Sequence, residues 1–150
     1  MALDLQVGDD HWRLGSADVL HALFSTISVR LEPHGWGTRF PALMNELYQG
    51  ELAPARVESA LSELLSARRE LALRPPSQVV WDADAPHTPS PWGDAVAGGA
   101  PDLSRCFFSE DGRDLFDVLL AALVRLRTAG SRSLRIVDGV PWEAVYSNAM

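Results

Sequence analysis

The stretch from Arg30 to Gly50, RLEPHGWGTRFPALMNELYQG, constrains the path of the chain more than any other. Pro33 has no N–H and its ring clashes with the preceding turn, so a helix running up to it must stop. Gly35 and Gly37 flank Trp36, and glycine reaches backbone angles that other residues adopt only with strain. Pro41 suits the first turn of a following helix, where a missing N–H costs nothing. Phe40, Leu43, Met44, Leu47 and Tyr48 recur at helical spacing, and Gly50 is placed to end that helix. The stretch reads as a helix end, a tight turn and a short helix. A large ring between two glycines serves either as a buried anchor that pins two helices or as a recognition loop, and burial is the commoner role.

Upstream, Leu3, Leu5 and Val7 alternate with Asp4 and Gln6, the period of a half-buried strand, closed by Gly8 and an Asp9-Asp10 turn. Ser16 is a good N-cap and Asp18 suits the first turn of a helix. Val19, Leu20, Leu23, Phe24, Ile27 and Leu31 form its apolar stripe, with Ser25, Thr26 and Ser28 largely off it. Downstream, Ala53-Pro54 opens a third helix with Val57, Ala60, Leu61, Leu64, Leu65 and Leu71 as its stripe, and Pro75-Pro76 ends it. Arg68-Arg69 reads as a solvated face. Gln78 to Asp82 (QVVWD) is a strand candidate. A loop around 83–102, rich in Pro, Gly, Ala and Asp, follows it. Loops of that length without structure tend to be functional or disordered.

Leu103 to Ser109 reads as a further strand and Ser109-Glu110-Asp111-Gly112 as a turn whose side chains are placed to cap the next helix. Leu115, Phe116, Leu119, Leu120, Leu123 and Val124 mark that helix. Arg125 and Arg127 complement its C-terminal dipole, and Gly130 can close it. Leu134, Ile136 and Val137 suggest a last strand before a tail over 139–150. This order is not a regular alternation of strands and helices, which argues against a doubly wound sheet. It predicts an α+β fold, a small, mainly antiparallel sheet with about four helices packed mostly on one face. The 150 residues, 47% hydrophobic, fit one domain over 1–150. A chain of this size buries about 68–70% of its unfolded surface.

The composition narrows the function. A net charge of −7 disfavours nucleic acid, whose backbone calls for clustered cations, and suits a basic partner. Cys106 is the one cysteine, so no intrachain disulfide and no Cys-based zinc site can form, which favours a reducing compartment. No basic, apolar leader opens the chain and no apolar run approaches membrane length, so a cytoplasmic protein is expected. His11, His21, His34 and His87 are not paired at metal-binding spacing. Neither a serine-nucleophile motif nor a glycine-rich phosphate loop is present. The reading is therefore a non-enzyme with no cofactor and no metal. Its alternatives are a small metal-dependent hydrolase using His and Asp, and a structural or regulatory homodimer.

Five tryptophans, Trp12, Trp36, Trp81, Trp92 and Trp142, stand out, several beside glycine, proline or aspartate. Indole rings anchor interfaces because a rigid ring fills a pocket at low entropy cost. For each taken singly, core packing is the simpler reading. The pieces GWGTRFPALMNELYQG, VVWD, WGD at Trp92 to Asp94 and DGRDLF at Asp111 to Phe116 resemble immunity protein family 70 of bacterial polymorphic toxin systems. The resemblance runs from about Gly15 to about Leu126. It implies a small cytoplasmic antidote that binds a cognate toxin domain and blocks it, either as a monomer or as a homodimer, with no call for nucleic acid or membrane. The acidic, aromatic character of the loops marks Trp36, Arg39, Glu46, Trp81, Asp82, Trp92, Asp94 and Asp111 as candidate partner-binding residues.

Overall fold

The computed structural model describes residues 2–87 and 100–139. Four strands form one antiparallel sheet: β1 (Ala2–Val7), β2 (Asp10–Ser16), β3 (Glu51–Leu52) and β4 (Leu134–Asp138), in the order β2-β1-β4-β3. The alternation that reads as β1 holds, with Leu5 and Val7 buried on the core side. The sequence reading missed β2. Gly8, at φ 60, takes the first loop position of a two-residue hairpin, where a II′ turn favours glycine. The chain from Asp10 then returns along β1. Near its end the register slips, Leu3 facing Gly15 and Asp4 facing Arg13, so Leu14 is the extra residue of a bulge. Leu14 lies in the core.

Helix α1 (Ala17–Leu31) starts as the sequence indicates, with Ser16 Oγ accepting the Val19 N–H at 3.2 Å. Helix α2 (Val57–Leu71) and helix α3 (Leu115–Arg127) pack against each other, and α3 lies against β1, β2 and β4. Arg68 joins the two helices, 2.9 Å from Asp117 and over the Phe116 ring, rather than standing as a free solvated charge. One hydrophobic cluster runs from Leu5 and Val7 through α1, α2 and α3 to Leu134.

Three expectations fail for identifiable reasons. Gln78 to Asp82 is not a sheet strand. A 3-10 turn, Pro76–Gln78, leads into an extended segment that lies across α1. Leu103 to Ser109 opens as another 3-10 turn, Leu103–Arg105, and keeps a single bridge between Phe108 and Asp114. Both runs are apolar because they are buried, not because they pair in a ladder, and periodicity alone does not separate the two. The cap of α3 is Asp114, whose carboxylate accepts the Phe116 N–H at 2.8 Å. Ser109 Oγ instead bonds Asp111 and accepts the Arg113 N–H.

Candidate functional site

The side of α1 that reads as polar is covered rather than solvated: Ser25, Thr26 and Ser28 are all buried. The segment 79–83 crosses it. Thr26 Oγ1 accepts the Val80 N–H at 2.9 Å and lies 3.0 Å from the Val80 carbonyl and 2.8 Å from that of Ala22. Ser25 Oγ accepts the Ala83 N–H at 3.0 Å. Two hydroxyls on α1 thus do for this segment what a neighbouring strand would do, and they deliver Asp82 and Asp84 to the helix surface.

Beyond α1 the chain turns on Glu32. Its carboxylate, 3% exposed, accepts three backbone N–H groups: Gly37 at 3.0 Å, Arg39 at 3.1 Å and Phe40 at 2.9 Å. Charged acceptors make the stronger hydrogen bonds, and here they hold the whole turn around Trp36. Gly35 and Gly37 sit at φ 110 and 77, as the turn requires. A Cβ at Gly37 would also strike the Asn45 side chain.

The short helix after Pro41 is a π-helix, Ala42–Leu47, not an α-helix. Glu63 on α2 accepts the Leu43 N–H at 3.0 Å and the Ala42 N–H at 3.3 Å, in place of a cap from its own segment. The Met44 carbonyl accepts the Trp36 indole N–H at 3.0 Å and the Gln49 side-chain amide at 3.4 Å. The indole packs edge-on against Tyr48, ring centres 5.2 Å apart.

These parts enclose a cleft of about 540 Å³ whose lining includes His21, Glu32, Trp36, Tyr48, Ala83 and Asp84. The Tyr48 hydroxyl lies 2.7 Å from His21 Nδ1, and His21 Nε2 lies 3.3 Å from Asp82 Oδ1. Burial, then the Asp82 charge, raises the Tyr48 pKa. The Asp84 N–H, then His21, hold the Asp82 carboxyl below its ordinary range.

Ser25, His21 and Asp82 meet here, yet not as an activated nucleophile. Ser25 Oγ and Asp82 Oδ1 both lie 3.3 Å from the same nitrogen, Nε2. A serine triad needs the imidazole between acid and nucleophile, one on each nitrogen. Among the described residues no three His, Cys, Asp or Glu side chains group closely enough to hold a metal ion. What the cleft offers chemically is an indole, a phenol, an imidazole and the Asp84 carboxylate, with Asp82 beside His21 and no arginine in its lining.

Of the expected partner-binding residues, Trp36 lines this cleft and Asp82 stands beside it, 3.3 Å from the His21 ring that lines it. Arg39 is bound to Glu70, and Glu46 holds Arg56 at 3.0 Å, tying the π-helix to the approach to α2. Trp81 is partly buried against the core. Asp111 lies in the turn before α3, where the Ser109 hydroxyl keeps its carboxyl below the ordinary range. Trp92 and Asp94 fall outside the described residues. Cys106 is buried, its thiol pushed up to about 11 by burial and then by Asp102, as a small packed hydrophobe. Sequence reasoning missed Glu32 and His21 as site-builders. The one available signal for Glu32 was an acid directly before the proline that breaks α1.

Among the described residues no helix is long and apolar enough to cross a membrane. A family model described as Immunity protein 70 matches residues 5–136, most of the chain and all of the cleft. No curated protein and no solved structure matches the chain.

Proposed function

The chain belongs to the Immunity protein 70 family, and from that premise we propose that it binds a cognate bacterial toxin domain and neutralises it by occluding the toxin's active or substrate site. The family match over residues 5–136 carries this reading. The net charge of −7 supports a basic target, because complementary charge speeds association and suppresses wrong partners. In this reading the contact face centres on Trp36, Tyr48, Asp82 and Asp84, and continues along the chain to Trp92 and Asp94. Arg39, Glu46, Trp81 and Asp111 are further candidate contacts outside the cleft. The protein makes and breaks no bonds of its own. It acts in the cytoplasm of the toxin-producing cell and its kin, as the antidote of a polymorphic toxin system.

Growth rescue tests this. The toxin domain encoded beside this chain is expressed alone, with the wild-type chain, and with a Trp92→Ala, Asp94→Ala variant of matched abundance. Rescue by the wild type and its loss in the variant are expected. Failure of the wild type to rescue overturns the proposal, and equal rescue by both proteins removes the segment after Pro91 from the interface.

A further inference from the structure

The cleft between α1, the Trp36 turn and the segment 82–84 has a chemistry more specific than an acidic face. Trp36 and Tyr48 supply two rings set edge to face, 5.2 Å between centres. Asp84 is exposed and forms no ion pair among the described residues. Asp82 spends Oδ1 on His21 and on the Asp84 N–H, and its Oδ2 has no hydrogen-bond partner among the described residues. The protein's own cations are held elsewhere. Arg30 donates to the Gln78 carbonyl at 2.9 Å and Arg39 is bound to Glu70, so no internal guanidinium neutralises the cleft.

A site with an aromatic wall and a free carboxylate edge suits a planar cation. A guanidinium can stack on an indole and fork to a carboxylate at the same time, whereas an ammonium is a strongly hydrated point charge. We propose that this cleft receives one arginine side chain of the toxin domain, stacked on the aromatic wall formed by Trp36 and Tyr48 and paired with Asp84 and Asp82. The inference rests on the antidote reading for the identity of the partner, and on the cleft alone for the kind of side chain. It makes the cleft a socket for a single anchor residue, with the remaining interface supplying complementarity around it.

Two arms test it. In the first, N-acetyl-arginine amide is titrated into the full chain while indole, amide and histidine resonances are followed by NMR, with N-acetyl-citrulline amide as the neutral isostere. Saturable shifts at Trp36, His21 and Asp84 with the arginine compound alone, abolished in Asp84→Asn, are expected. Equal shifts with citrulline, or none, overturn the inference. Asp84→Asn is the chosen variant because this side chain has no hydrogen bond or ion pair among the described residues. In the second arm, toxin-domain affinity is measured for wild type and Asp84→Asn, crossed with each arginine-to-alanine change on the toxin. Asp84→Asn is expected to weaken binding about tenfold and to couple to one toxin arginine. Unchanged affinity, or coupling to none, overturns the inference while leaving the antidote reading intact. Absence of any toxin binding by the wild type removes the antidote reading, and the first arm then still decides whether the cleft selects a guanidinium.

Discussion

Glu32 holds the turn around Trp36 through three backbone N–H groups. A carboxylate at 3% exposure is tolerable only because three backbone N–H groups converge on it. Glu32→Gln keeps the shape but turns an amide NH₂ toward donors that need an acceptor. Loss of about 2–4 kcal/mol in chemical denaturation is expected, since unsatisfied buried groups bonded to a charge are costly. Glu58→Gln serves as the control: its pair with Arg127 is largely exposed, so stability should barely change. Tyr48 gives a second residue-level prediction. Its pKa is raised by burial and then by Asp82, so in a Tyr146→Phe background the remaining phenol should titrate above 10.0. A raised folded pKa means a contribution fully present below the ordinary tyrosine value and lost as pH climbs through the folded one. Loosening of the 82–84 segment from His21 should therefore accompany alkaline titration, read from the His21 and Asp84 resonances.

At the scale of elements, the informative case is the segment that looked like a strand. QVVWD has the β-branched, aromatic content of one, and Val80 is fully buried. Val80 bonds the Thr26 hydroxyl of α1 through both its N–H and its carbonyl, so the sheet never needed it. The serine and threonine positions of α1 held the clue, since hydroxyls on a helix flank can serve as ladder partners. Thr26→Val removes that service at nearly constant volume. The Val80 N–H then loses its acceptor, and its hydrogen exchange should quicken markedly while α3 amides keep their rates. Unchanged exchange at Val80 would show that the segment is held by packing alone. The π-helix is a similar case. The Phe40–Tyr48 pattern is helical, but nothing in that pattern indicates that Glu63 would cap it from α2 or that Trp36 would claim the Met44 carbonyl.

For the molecule as a whole, the α+β class, β1, the three α-helices, β4 and the turn around Trp36 were legible, because each rests on local periodicity, a cap or a glycine at positive φ. The hairpin partner β2 was hidden by its composition: DHWRLGS mixes charged and apolar residues, and its bulge breaks the alternation that would have announced it. The cleft was legible only in part. Trp36 and Asp82 are 46 positions apart, and what joins them is tertiary: hydroxyls on α1, a histidine between Tyr48 and Asp82, and a buried glutamate. The same long-range construction explains why the arginines do not define a basic face. Eight of them are tied to acids within the described residues, and in the antidote reading the excess of negative charge is what meets a basic partner. A hydrogen-exchange footprint of the toxin domain on this chain is the most direct measurement of that meeting. Protection is expected across 33–37, Tyr48 and 82–85, with the outer face of the sheet at Gln6 and Arg135 unchanged. Protection confined to that outer face, with the cleft exchanging as in the free protein, would contradict the account.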